Sequence, residues 1–216
     1  MAPDEALPSP GDGTAAAGTA APVRPEPEWI SPVTAEVDAD MRAEGRTLVR
    51  LLHQMRCDLP LSAAVVDATT PIDVRPFRAG DEDGWLGVNN RAFRWHPDQG
   101  GWDRDRLAAR LAEPWVRLDG FLVHEGPEGM DGFCWTREHP ASGDDPAMGE
   151  IFVIAADPST AGRGLGRSLT VAGLAHLAGR GLHVGMLYVE ATNTPALRLY
   201  ERLGFVVHHS DAAYTR

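Results

Sequence analysis

The stretch IFVIAADPSTAGRGLGRSLT, residues 151–170, decides how this chain reads. Glu150–Ala156 is an apolar, β-branched run, the pattern of a buried strand. An Asp-Pro turn follows, then Gly162-Arg163-Gly164-Leu165-Gly166. A helical pattern opens at Leu165 and runs to Gly179, with Leu165, Leu169, Ala172 and His176 in register. Glycines let successive backbone amides crowd together and face one point. The start of a helix adds unpaired N–H groups and partial positive charge. Strand, glycine loop and helix together make a seat for phosphate, most naturally a pyrophosphate. Arg163 and Arg167 can add charge-assisted contacts. The plainer alternative is a glycine-rich turn with no ligand.

Working outward from that loop, Val184–Glu190 reads as a strand, Pro195–Leu203 as a short helix and Phe205–His209 as a last strand. Upstream, IDVRPF (residues 72–77) alternates as a strand does. Asp81 is placed to cap a helix carrying Trp85, Val88, Ala92 and Phe93, and Asp103 to cap one with Leu107 and Leu111. Gly120–His124 and Gly132–Thr136 read as strands around the turn EGPEGMD. A run of strands followed by strand–helix alternation predicts an α/β fold: a mixed sheet with helices on both faces. In residues 41–55, Leu48, Leu51, Leu52 and Met55 fall at helical spacing, although RTLVRLLHQM also has an extended reading. Residues 1–34, built mostly from Ala, Pro and Gly, read as a disordered tail in which Trp29 and Ile30 fray.

Composition narrows the function. The 216 residues are 43% apolar, enough for a core, and carry a net charge of −11. All 20 basic residues are arginine, which excludes a GxxxxGK[ST] phosphate loop and Schiff-base chemistry. The acidic balance argues against a nucleic-acid partner. No run approaches the ~18 apolar residues of a membrane span, and the N-terminus lacks the basic, then apolar, pattern of a secretory signal. Two cysteines, Cys57 and Cys134, form no disulfide framework, and the histidines form no HxxxH or HExxH cluster. The expectation is a cytoplasmic protein without a metal, acting on a small molecule.

A second motif lies at NTPALRLYERLGF, residues 193–205. Asn193 can cap the helix and Gly204 can end it. Tyr200 sits two turns along, as a core aromatic or something more. The strand, the A-G-R-G-L-G loop and the N-x-x-A-x-x-x-Y-x-x-x-G-F helix resemble the GCN5-related N-acetyltransferases over about residues 72–216. That family's loop usually opens with a polar residue where this chain has Ala161. The segments VNNRAFRWHPDQGGW, DGFCWTREHP, GEIFVIAADP and LYVEATNTPALRLYERLGF are similar to the C-terminal domain of mycothiol synthase.

The resemblance implies acetyl-CoA as donor and a small-molecule primary amine as acceptor, most directly the cysteinyl amine of cysteinyl-glucosaminyl-inositol. Another small amine, a peptide N-terminus, or a coenzyme-binding module without activity are the alternatives. It implies one acetyltransferase domain over residues 71–216. Residues 35–70 then correspond to the end of the family's N-terminal domain, through RTLVRLLHQMR, with a disordered tail over 1–34. Whether the chain acts as a monomer or a homodimer stays open.

By the same resemblance, Glu150 is the base and Tyr200 the acid that protonates the leaving thiolate. The coenzyme lies on Ile154, Ala155 and Ala156, on the loop Ala161, Gly162, Arg163, Gly164, Leu165, Gly166 and Arg167, and on Asn193, Thr194, Pro195, Ala196, Leu197 and Arg198. Asp98, Arg137, Glu150 and Tyr188 contact the acceptor. Arg137 stands where the family has lysine, and Asp98 where it has glutamate. A covalent route through Cys134 is the lesser alternative, because a thiol in a strand is ordinarily a buried structural group.

Overall fold

The computed structural model describes residues 27–96 and 98–216. One eight-stranded mixed sheet organises them, in the order β1-β8-β2-β7-β6-β5-β4-β3. The strands are β1 (Glu28–Ile30), β2 (Thr47–Asp58), β3 (Arg75–Pro76), β4 (Phe121–Gly126), β5 (Gly129–His139), β6 (Met148–Ala156), β7 (Val184–Glu190) and β8 (Val206–Thr215). The helices are α1 (Ala35–Ala43), α2 (Ala63–Asp67), α3 (Glu82–Ala92), α4 (Arg104–Leu111), α5 (Leu165–Gly179) and α6 (Thr194–Arg202).

Period-two alternation in β5 divides the core. Phe133 and Trp135 join Trp85 and Val88 of α3 and Leu107 of α4 on one face. Cys134 joins Leu169, Leu174 and Leu177 of α5 and Tyr200 of α6 on the other. The expected mixed sheet with helices on both faces is therefore present. Trp85 stands at the centre of the first cluster, edge-on to Trp102, Phe121 and Trp135.

Four expectations change. The helical spacing of Leu48, Leu51, Leu52 and Met55 does not make a helix: residues 47–58 are a strand paired with both β7 and β8. Bulges between Leu48 and Arg50 and between Gln54 and Met55 shift the alternation of this strand, so its apolar residues fall at spacings that imitate the helical period. The tail expected over 1–34 is ordered at Glu28–Ile30, which pairs with β8; its residues 1–26 lie outside the described residues. Trp29 does not fray: the Arg50 guanidinium lies 5.4 Å from its ring centroid. The strand of IDVRPF shrinks to Arg75–Pro76, since proline has no N–H to continue a ladder, whereas the last strand lengthens to Thr215 between two partners.

Caps follow the sequence unevenly. Asp103 caps α4 by accepting from the Arg106 N–H at 2.8 Å. Asp81 makes no side-chain cap to α3; it accepts instead from the Arg78 N–H and pairs with Arg75 at 2.7 Å.

Candidate active site

The site begins where two strands part. β6 and β7 run parallel but pair only at Gly149–Gly185 and Glu150–Met186. Glycine lets the helix approach closely at this junction. A Cβ at Gly149 would stand 2.7 Å from Leu177, and one at Gly185 2.9 Å from Leu174, so α5 presses directly onto the backbone. Beyond Glu150 the strands diverge. Ile151–Ala156 keeps its partner β5, with a bulge between Trp135 and Thr136, but faces β7 with no ladder. Backbone amides and carbonyls inside a fold need partners. This edge offers them to an extended ligand that carries amides of its own. Ile154, Ala155 and Ala156 are its last three residues.

The edge runs into the glycine loop. Asp157 is buried, accepts from the Ser159 N–H at 2.9 Å and pairs with Arg91 at 2.5 Å, which fixes the turn. Gly162 and Gly164 both have φ of +78°, the left-handed region that disfavours a side chain. The first backbone bond closing α5 is from the Ser168 N–H to the Gly164 carbonyl, at 3.2 Å. The amides of Leu165, Gly166 and Arg167 are thus left pointing out of the helix end. Arg163 borders a groove of about 570 Å³ with Thr70, Ile72, His124, Asp131 and Ser168. The Arg167 guanidinium is already engaged, donating to the Thr69 hydroxyl at 2.8 Å and the Val65 carbonyl at 3.2 Å. Its backbone amide, rather than its side chain, belongs to the open fan.

Across the gap stands α6. Asn193 Oδ1 accepts from the Ala196 N–H at 3.2 Å and fixes the helix start, with Pro195 in the first turn. Thr194, Leu197 and Arg198 occupy the same two turns. Tyr200 is buried 5.7 Å from Phe205, and burial holds its hydroxyl protonated far above the ordinary tyrosine range.

The other four expected contacts lie on the sheet face away from α5. Glu150 is buried at the fork, with Oε2 2.8 Å from His139 Nε2. Arg137 sits opposite Glu150 in the β5–β6 register, its guanidinium 4.8 Å from the Trp115 ring centroid. The Tyr188 hydroxyl accepts from Gln54 Nε2 at 2.8 Å, and burial raises its pKa. Asp98 is tied to Arg50 at 2.6 Å, and Arg50 reaches Glu190 at 2.7 Å.

Sequence reasoning missed His139, Gln54, Arg56 and Arg50. The signal for two of them was the even spacing of Arg50 and Gln54 within the extended reading of residues 46–55. Cys134 is fully buried and its thiol is pushed up to about 12, so no thiolate exists there at neutral pH.

Residues 144–214 match the FR47-like protein family. A mycothiol acetyltransferase of Acidimicrobium ferrooxidans is 48% identical over 187 residues, covering 85% of this chain and 59% of that protein. The mycothiol acetyltransferase of Segniliparus rotundus is 44% identical over 183 residues, covering 82% of this chain and 68% of that protein. The chain therefore spans about three fifths to two thirds of these relatives. Among solved structures, a GCN5-related N-acetyltransferase from Sphaerobacter thermophilus superposes with a TM-score of 0.66 at 22% identity, over 86% of this chain and 57% of that one. With these relatives, the chain belongs to the mycothiol acetyltransferase family, on a fold shared with that GCN5-related N-acetyltransferase.

Proposed function

We propose that the chain transfers an acetyl group from acetyl-CoA to the cysteinyl amine of cysteinyl-glucosaminyl-inositol. One observation carries the reading: the unpaired edge Ile151–Ala156 runs straight into the open amides of Leu165–Arg167. An edge with free amides suits a pantetheine arm, and a helix start suits the diphosphate at its end. The coenzyme supplies the acetyl group as an activated thioester.

The remaining work falls to the chain. The α-amine of the acceptor titrates near about 7.7–8.0 in water, so the base need only be modest. Glu150 Oε2 is occupied by His139, which leaves Oε1 to take the ammonium proton. A backbone N–H among Ile154, Ala155 and Ala156 faces the carbonyl oxygen as charge develops on it. The amine attacks the thioester carbonyl to form the C–N bond; as the adduct collapses and the C–S bond breaks, Tyr200, kept neutral by burial, gives its Oη proton to the sulfur and is restored by the second proton that leaves the nitrogen. Arg137, Tyr188 and Asp98 border the acceptor's end of the gap.

The likeness to mycothiol acetyltransferases supports the acceptor assignment. The test measures release of free CoA from acetyl-CoA with cysteinyl-glucosaminyl-inositol and with a panel of other primary amines and peptide N-termini. Turnover at least tenfold faster with the first is the expected result. Faster turnover with another amine reassigns the acceptor, and tight coenzyme binding with no turnover of any amine removes the enzymatic reading.

A further inference from the structure

The hydrogen bonds behind Tyr188 have a direction that can be read from donor chemistry. Asp145 holds the Arg56 guanidinium at 2.6 and 3.0 Å. Arg56 Nε then donates to the Gln54 side chain at 2.7 Å. Arginine has no acceptor, so the Gln54 atom facing it is the carbonyl oxygen. That fixes the other end: the Gln54 amide nitrogen faces the Tyr188 hydroxyl at 2.8 Å and donates to it. Gln54 is buried, so its amide has no solvent in which to turn over. Tyr188 consequently spends a lone pair on Gln54 and keeps its own proton free. Burial keeps that proton in place at neutral pH. Glu150 and Asp211 are the acidic groups near Tyr188, and Arg56 the basic one. Among the described residues the Tyr188 hydroxyl bonds to neither acid: Glu150 Oε2 faces His139, both Asp211 oxygens lack a hydrogen-bond partner, and Gln54 is the group bonded to the hydroxyl. Tyr188 lies two residues past Met186, where β7 has left β6, and shares the sheet face of Glu150.

We propose that Gln54 is a positioning residue that commits Tyr188 to donate outward, so that the site selects an amine bearing a hydrogen-bond-accepting oxygen close to the reacting nitrogen. The inference rests on the reading that the acceptor lies against Tyr188. A carbonyl or hydroxyl oxygen on the acceptor receives the proton. An amine lacking one leaves this half-buried donor unpaired beneath it, which is where discrimination arises. Segment 47–58 thereby sets acceptor choice from behind, without touching the acceptor.

Gln54→Glu tests this, because a carboxylate of nearly the same shape still accepts from Arg56 but now also accepts from Tyr188, turning the hydroxyl inward. With cysteinyl-glucosaminyl-inositol, Gln54→Glu and Tyr188→Phe should each raise KM roughly tenfold, the size of one lost hydrogen bond. Turnover number should stay within threefold and acetyl-CoA affinity within twofold. The double variant should be no worse than either single one, because both remove the same bond. With cysteamine, an amine without such an oxygen, KM should not rise in any variant. Gln54→Met, which removes the donor but not the volume, should give a smaller rise of about threefold and stands in if the glutamate variant does not fold. Multiplying effects in the double variant, or a Gln54→Glu KM equal to the parent's while Tyr188→Phe raises it, overturn the inference alone. An unchanged KM in Tyr188→Phe overturns the placement of the acceptor as well.

Discussion

Replacing Gly166 with alanine separates folding from coenzyme binding, because the two should move in opposite directions. Gly166 sits in the first turn of α5, and a Cβ built there meets nothing within 4 Å. Its φ is not positive, so alanine fits the existing backbone. Glycine within a helix costs about 0.5–1 kcal/mol relative to alanine. The variant should gain that amount, or ~1–4 °C in Tm for a chain of this size. The same methyl, however, tilts toward the helix N-terminus, as every helical Cβ does. It therefore enters the space in front of the amides of Leu165–Arg167. Loss of one charge-assisted bond there costs about 1.5–3 kcal/mol, and 1.4 kcal/mol is tenfold in affinity. Acetyl-CoA binding by calorimetry should weaken at least tenfold while the thermal unfolding of the coenzyme-free protein shifts upward. A stabilised variant that binds acetyl-CoA as the parent does would refute the close approach of a diphosphate to this helix start.

Other perturbations probe the remaining groups. Tyr200→Phe should lower turnover by about a hundredfold or more while leaving acetyl-CoA affinity within threefold, since it removes an acid and keeps the ring against Phe205; equal turnover removes Tyr200 from proton transfer. Glu150→Gln can still hydrogen-bond His139, so a loss of about a hundredfold in kcat/KM with a flattened pH–rate profile would report the base itself, whereas an unchanged profile points to another base. Cys134→Ala should retain acetyl transfer within a few-fold, because the thiol is buried and protonated; an acetylated Cys134 in quenched reactions of the parent protein would contradict this. His96, His176 and His209 are all held below the usual imidazole value of 6.5, chiefly by burial. The unfolded chain then binds more protons as pH falls through about 6.5, so their contribution is full above that pH and lost below it. Urea unfolding should show lower stability at pH 5.5 than at pH 7.5, and equal values would count against it.

How far the sequence reached depends on whether a signal was local. Residues 165–179 and 184–190 fold within the bounds their pattern predicts, because each carries its own period and ends on its own stop signal. The glycine loop was legible for the same reason: φ-permissive residues, a buried strand before and a helix after all fall within twenty residues. β2 was not legible. Met55 and Cys57 enter the core on one face while Arg50, Gln54 and Arg56 join a polar network on the other, so neither period is clean. The partners of expected residues were equally hidden. Asp98 is held by Arg50, 48 positions away, and Glu150 by His139 on a neighbouring strand. Such pairings depend on strand order, which local pattern does not encode.

Strand order also decides what segment 46–58 contributes. β2 pairs with β7 along one edge and β8 along the other, so its side chains stand beside Tyr188 and Glu190. From that position Arg50 bridges Asp98 to Glu190, and Gln54 reaches Tyr188. The half of the gap proposed for the coenzyme is built by β6, the loop, α5 and α6, from residues after 150. The half proposed for the acceptor draws on β2, on the loop bearing Asp98 and on β5, whose distances in sequence reach a hundred residues or more. On the proposed reading, donor binding is a local property of one strand–loop–helix unit, whereas acceptor choice is a property of the whole sheet. Substitutions in β2 that spare the core should accordingly change KM for the amine and leave acetyl-CoA affinity alone.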